Sequence, residues 1–272
     1  MKVLIPAIAL FISSLSISAQ ATEYFLGVVP QQSPVTLFKA WKPVTDYLSE
    51  TTGLKVGLKT EKSIAEFEKV LYSGGYDISY MNPFHYTLAN ERQNYQVVAR
   101  AKKTLKGIMV MQKGGDFKAL VTDPKTMFLF PSPNAFAATL IVKYELLTEF
   151  GVDLNKSKNF KYVNSHDSVY KGVARGIGQL GGGIQRTFNN FSSARDKDKL
   201  VEVYETKAYP SHPFAVKSTM PEADRKKLVA ALLAMPAELS ERLSMKEIIA
   251  TDDAEFDVIR ELANKLDTVN RD

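Results

Sequence analysis

Asp77-Ile78-Ser79-Tyr80-Met81-Asn82-Pro83 is the stretch whose reading decides the fold. Gly74-Gly75 breaks the helical pattern before it, and Asp77–Met81 then reads as a short strand. Asn82 supplies a side-chain cap and Pro83 a preset φ for a first helical turn, so a helix follows at once. A strand running directly into a capped helix is the building unit of an α/β fold.

The unit recurs in both directions. Upstream, Phe25–Val29 is a strand, and Ser33-Pro34 opens a helix by the same cap-then-proline logic. Val35, Phe38 and Trp41 follow at helical spacing, Pro43 predicts a kink, and Gly53 lies past the end. Leu54–Leu58 is a strand, and Ser63-Ile64-Ala65-Glu66 is a capping box ahead of Phe67, Val70 and Leu71. Downstream, Tyr95–Ala101 and Ile108–Gln112 read as strands joined by a crossing between lobes. Then come a Met127–Phe130 strand, an Ala135–Phe150 helix, a Phe160–Val163 strand, a helix capped by Ser165, and a glycine-rich strand at Leu180–Ile184. Val201–Thr206 leads back through the proline-bracketed Tyr209–Pro213. Thr219-Met220-Pro221-Glu222 reads as another capping box, and Phe256–Leu266 as a last amphipathic helix.

The expectation is an α/β chain of two lobes with mixed, mostly parallel sheets and a two-strand hinge. Residues 22–106 with 209–272 form one lobe and residues 107–208 the other. The cleft between them is the default ligand site.

Residues 1–21 read as an export signal: Lys2 gives the positive start, Val3–Ile17 an apolar stretch, and Ala19-Gln20-Ala21 a small-x-small cleavage site. The expected location is therefore the periplasm. With no cysteine in the chain there is no residue to carry a lipid, so a lipoprotein is not expected. The formal net charge of +5 is scattered. It reads as a solvated surface rather than a nucleic-acid site, although a mild positive field helps an anionic solute arrive.

In open parallel sheets, strand C-termini and helix N-termini share one edge. Helix starts at Ser33, Asn82, Asn134 and Ser165 would each present unpaired N–H groups there, which suits an anion. His166 and Asp167 fall in the first turn after Ser165. They either face the cleft or merely stabilise the helix start. Tyr80, followed by Met81 and Asn82, ends its strand at the same edge, as a cleft wall or as a core aromatic. His85 reads as packing and His212 as a shaper of the hinge. Nucleophile-elbow, zinc-binding, P-loop and dinucleotide motifs are missing. An enzyme is therefore not expected, and neither is a cofactor or metal.

The chain resembles the periplasmic solute-binding components of phosphate/phosphite/phosphonate ABC importers, which are type II periplasmic binding proteins. Gly27-Val28-Val29-Pro30, Trp41-Lys42-Pro43 and Tyr76–Pro83 carry the resemblance, with Ser165-His166-Asp167, Val173-Ala174-Arg175-Gly176 and His212–Val216. It implies two lobes closing on a small anionic ligand near Tyr80, Met81, Asn82, Asn134, Ala135, Phe136, His166 and Asp167. It also implies delivery to an inner-membrane ABC permease by a monomer. The alternative is a periplasmic sensing module that partners a membrane signalling protein. Two departures stand out. The family's Ser/Thr-rich turn is here Pro131-Ser132-Pro133-Asn134-Ala135-Phe136-Ala137, short of hydroxyl donors. Where the family often has an Asp available to a ligand amine, this chain has Gln179, which disfavours an aminophosphonate.

Overall fold

The computed structural model describes residues 22–265; the expected export signal lies outside them. Two mixed sheets organise the chain. The first takes β1 (Glu23–Val28), β2 (Lys55–Lys59), β3 (Ile78–Tyr80), β4 (Tyr95–Ala101), β10 (Pro213–Lys217) and β11 (Ile248–Ala250), in the order β11-β4-β10-β3-β1-β2. The second takes β5 (Gly107–Gln112), β6 (Phe128–Phe130), β7 (Phe160–Tyr162), β8 (Leu180–Ile184) and β9 (Leu200–Glu205), in the order β7-β6-β8-β5-β9. Around β1 and β6 the pairing is parallel. The strands that run against their neighbours are β10, β11 and β5.

Two of those three antiparallel strands are the ones by which the chain enters each sheet from the other. The chain leaves by β4 and returns by β10, which pair; it enters by β5 and leaves by β9, which also pair. Between the sheets the two connectors pair through Leu105 and Tyr209, each N–H donating to the other's carbonyl at 2.7 and 2.9 Å. This is the two-strand hinge.

Capping chemistry explains the helix starts on the cleft edge. Ser33 accepts from the Thr36 N–H, Asn82 from His85 and Ser165 from Ser168, each in extended backbone. The helix Pro34–Thr52 runs unbroken through Pro43, where the sequence predicts a kink. Its buried stripe is Leu37, Trp41, Val44 and Leu48, not Val35-Phe38-Trp41: Val35 and Phe38 are 65% and 55% exposed against 1% for Trp41. The proposed box at Thr219 does not form, because the helix Glu222–Leu233 starts from Pro221 without a side-chain cap.

The expected start at Asn134 is also corrected. Helix begins at Phe136, with Ala135 in the cap position and no side-chain cap bond. Its first turn is wide: the Ala135 carbonyl accepts from Thr139 at 2.7 Å and from Leu140 at 3.3 Å. The Thr139 hydroxyl ties the turn to the Ser132 carbonyl at 2.7 Å. Beneath it, β8 is glycine-rich for a steric reason. A Cβ at Gly182 would overlap the Ala138 carbonyl oxygen, and one at Gly183 the Tyr170 hydroxyl. The strand thus lies against the main chain of the Phe136 helix and, elsewhere along its length, against the side chains of the His166–Ala174 helix.

Candidate ligand-binding site

The two lobes meet along a polar seam below the hinge. The Asn82 side chain caps its own helix through Oδ1, and its Nδ2 donates to the Asn134 carbonyl at 3.2 Å. So Asn134 contributes its backbone to the seam, not a cap. The His166 N–H donates to the Gln31 carbonyl at 3.1 Å, and the Ser33 N–H to Asp167 Oδ2 at 3.0 Å. The other Asp167 oxygen is buried without a partner among the described residues. Burial raises the carboxyl's pKa above the ordinary range, with the Ser33 N–H and Lys171 opposing. Asp167 therefore joins the lobes.

A small cavity of about 10 Å³ lies at this seam, among Gln31, Asn82, Ala135, Phe136, His166 and His212. That is room for about one water. The N–H groups of Phe136, Ala137 and Ala138, whose residues line it, take no acceptor among the described residues. They are the orphan donors of a helix start, at its positive end. His166 hydrogen-bonds through Nδ1 to the Thr187 hydroxyl at 3.1 Å, which in turn meets the Tyr170 hydroxyl at 2.7 Å. Its Nε2 takes no protein partner among the described residues. Burial, then the charge of Arg186, push its pKa down to about 3, so the ring is neutral at neutral pH.

Gln31 and Arg186 were not read from the sequence as site residues, and His212 was read only as a hinge shaper. Gln31 links all three. Its Oε1 accepts from Arg186, and its Nε2 lies 2.8 Å from His212 Nε2. Because an amide nitrogen can only donate, His212 Nε2 must accept, which fixes a neutral ring with its proton on Nδ1. Burial and the charge of Arg186 keep that ring neutral by lowering its pKa well below the ordinary value. The signal for these residues was present. Gln31 precedes the Ser33 cap and Arg186 follows β8, both on the strand-end edge that ligands use.

The remaining expected site residues divide. Tyr80 is buried between Trp41, Phe214 and a stacked His212 ring at 5.5 Å, and it lines a second, larger cavity. Ala135 and Phe136 wall the small one. Met81 is wholly buried and lines neither cavity; its N–H donates to the Pro213 carbonyl at 3.2 Å. His85 packs away from the cleft, with Nε2 on Glu68 at 2.8 Å. Gln179 sits before β8, at the end opposite the cleft, holding the Met127 N–H at 2.8 Å. It cannot report on a ligand amine, and the sequence argument against aminophosphonates falls.

Two α/β sheets, a paired hinge and a seam of helix starts define a two-lobed binding protein. A match to the family described as ABC transporter, phosphonate, periplasmic substrate-binding protein spans residues 26–256, and the chain belongs to that family. PhnD1 from Prochlorococcus marinus, solved with methylphosphonate, is similar in fold, with a TM-score of 0.81 at 19% identity, over 91% of this chain and 99% of that one. A binding-protein component of an ABC phosphonate transporter from Pseudomonas aeruginosa gives 0.82 at 16%, over 93% and 90%. A Xanthomonas citri protein bound to chloride ion gives 0.67 at 14%, over 90% and 97%. The family is one of periplasmic transport proteins that bind substrate.

Proposed function

We propose that this chain captures a small anionic solute of the phosphate or phosphonate class between its lobes and presents it to an inner-membrane ABC permease. It acts as a monomeric carrier with no bond made or broken and no nucleic-acid partner. The observation that carries the reading is the set of three unpaired N–H groups at the Phe136 helix start, in a cavity that His166 lines from the same lobe and Asn82 from the other. Such donors favour an anion's oxygen, and the neutral His166 ring supplies a further polar contact. Tyr80, Gln31 and His212 complete the walls from the other lobe and the hinge. A ligand gripped from both sides shifts the population toward the closed form that a permease would recognise.

A thermal-shift screen of residues 22–272 against phosphate, phosphite, methylphosphonate, sulfate and small organic acids tests this. A ligand at 100 times its dissociation constant should stabilise the fold by about 2.7 kcal/mol. Calorimetry on His166→Ala should then give weaker binding with the fold intact. A chain that none of these anions stabilises does not have this function.

A further inference from the structure

The seam cavity is too small for a phosphonate head. Beyond His212, Leu105 and Ile184, which wall both spaces, a second compartment of about 270 Å³ opens on the hinge side. That is close to the lower end of the roughly 300–1,000 Å³ typical of ligand pockets. The bulk of any occupant has to lie there, with no more than about one oxygen atom reaching the helix-start N–H groups.

The charges around this compartment are unbalanced. Arg186 lines it from one lobe. Among the described residues its guanidinium meets only neutral partners, the Gln31 amide oxygen and the face of Tyr80 at 5.8 Å. Five donors in a rigid fork are thus engaged by one amide, and no carboxylate balances the charge. Lys103, from the connector after β4, also lines it and has no ion pair among the described residues, whereas Lys106 is paired with Glu205 at 2.5 Å. Two uncompensated cations remain, one just after β8 and one on the connector after β4.

From this geometry we propose that Arg186 is the anion anchor of the cleft and that the ligand is a doubly headed organic acid. One phosphonate or carboxylate head is forked by Arg186, and a second anionic group is held toward Lys103. The proposal rests on the interlobe-cleft reading above and narrows it. A guanidinium matches the two oxygens of such a head in parallel, giving both affinity and orientation. The charge takes over from the hydroxyl donors missing between Pro131 and Ala137. Because Arg186 comes from one lobe and Tyr80 and His212 from the other lobe and the hinge, a head seated there touches both sides of the seam.

The test is calorimetry on residues 22–272 with 3-phosphonopropionate, methylphosphonate and inorganic phosphate as probes. The wild-type chain should bind 3-phosphonopropionate at least about tenfold more tightly than methylphosphonate. Arg186→Met should weaken both by roughly thirtyfold or more, and Arg186→Lys, which keeps the charge but not the fork, by about fivefold or more. Lys103→Ala, at an exposed position, should cost 3-phosphonopropionate roughly three- to tenfold and leave methylphosphonate unchanged. Methylphosphonate bound equally by wild type and both Arg186 variants would overturn the anchor while leaving the cleft reading intact. A wild-type preference for methylphosphonate would overturn the second head. Failure of all three probes to bind would sink the cleft reading and this inference together.

Discussion

The Ser33 N–H on one lobe donates to the Asp167 carboxylate on the other at 3.0 Å. The donor is the first residue of a helix cap and the acceptor sits in the first turn of a second helix, so two helix starts are bolted face to face. A hydrogen bond to a charged group contributes about 1.5–3 kcal/mol, enough to shift an open–closed equilibrium by roughly tenfold or more. Asp167→Ala should therefore populate a wider form, read as a larger radius of gyration by small-angle scattering. Asp167→Asn keeps an acceptor and should remain compact. Identical scattering for Ala and wild type would show that the contact does not hold the lobes together.

The two seam histidines predict acid sensitivity. Both are held below their ordinary pKa, His166 at about 3. Between that value and about 6.5 the unfolded chain binds protons that the folded chain does not, so stability falls as pH drops through this window. From pH 7.5 to 5.5 His166 should cost about 1–1.5 kcal/mol, seen as a few degrees in the melting midpoint, and His212 adds in the same direction. Asp167, shifted the opposite way, offsets part of this at the acidic end. His166→Gln should flatten the profile. Parallel profiles for the variant and wild type would mean that His166 is not the titrating group.

Much of this architecture was legible in the residues, and the misses have physical causes. Strand-then-cap signals at Ser33, Asn82 and Ser165 are local, and each cap bond forms where the sequence places it. Asn134 carries the same residue type, but the wide turn at Ala135 moves the cap from Asn134 to Ala135, one residue on. That turn rests on the glycine strand beneath it, and although the strand is legible, its contact with a segment more than 40 residues away is not a local pattern. The short edge strand β11 pairs only through β4, a partner about 150 residues away, and so lacked a signal of its own. For the site, the seam is built largely from the strand-end edge that the sequence indicated. Arg186 and Gln31 escaped because their importance lies in a contact across the lobes, between a short helix and a loop far apart in the chain.

Gly182 is the position where the fold and the site meet. Its missing side chain lets the Ala138 carbonyl lie on β8, and this sets the height of the Phe136 helix start above the seam. Gly182→Ala must push that backbone away. Overpacking of this kind costs about 1–3 kcal/mol, and more when the obstacle is main chain. Urea denaturation should show the loss, and any anion binding should weaken with it. An unchanged midpoint would mean that the helix lifts off without resistance.

Ala135 offers the converse experiment. It occupies a cap position in extended backbone, φ −71° and ψ 94°, where a serine would accept from the orphan donors of the next turn. Serine in place of alanine at such a position is worth about 0.5–2 kcal/mol. Ala135 also lines the small cavity that has room for the new hydroxyl. Ala135→Ser should therefore raise the melting midpoint. It should also weaken binding of methylphosphonate or phosphate several-fold, because the new Oγ takes up one of the helix-start N–H groups and fills the space that an anion oxygen would enter. Both effects come from one atom and require the cap geometry. A midpoint that falls would mean that the Oγ is overpacked against Phe136 and that the cavity is not available to it. A midpoint that rises with binding unchanged would mean that the anion's oxygens do not reach the helix start, leaving Arg186 as their anchor.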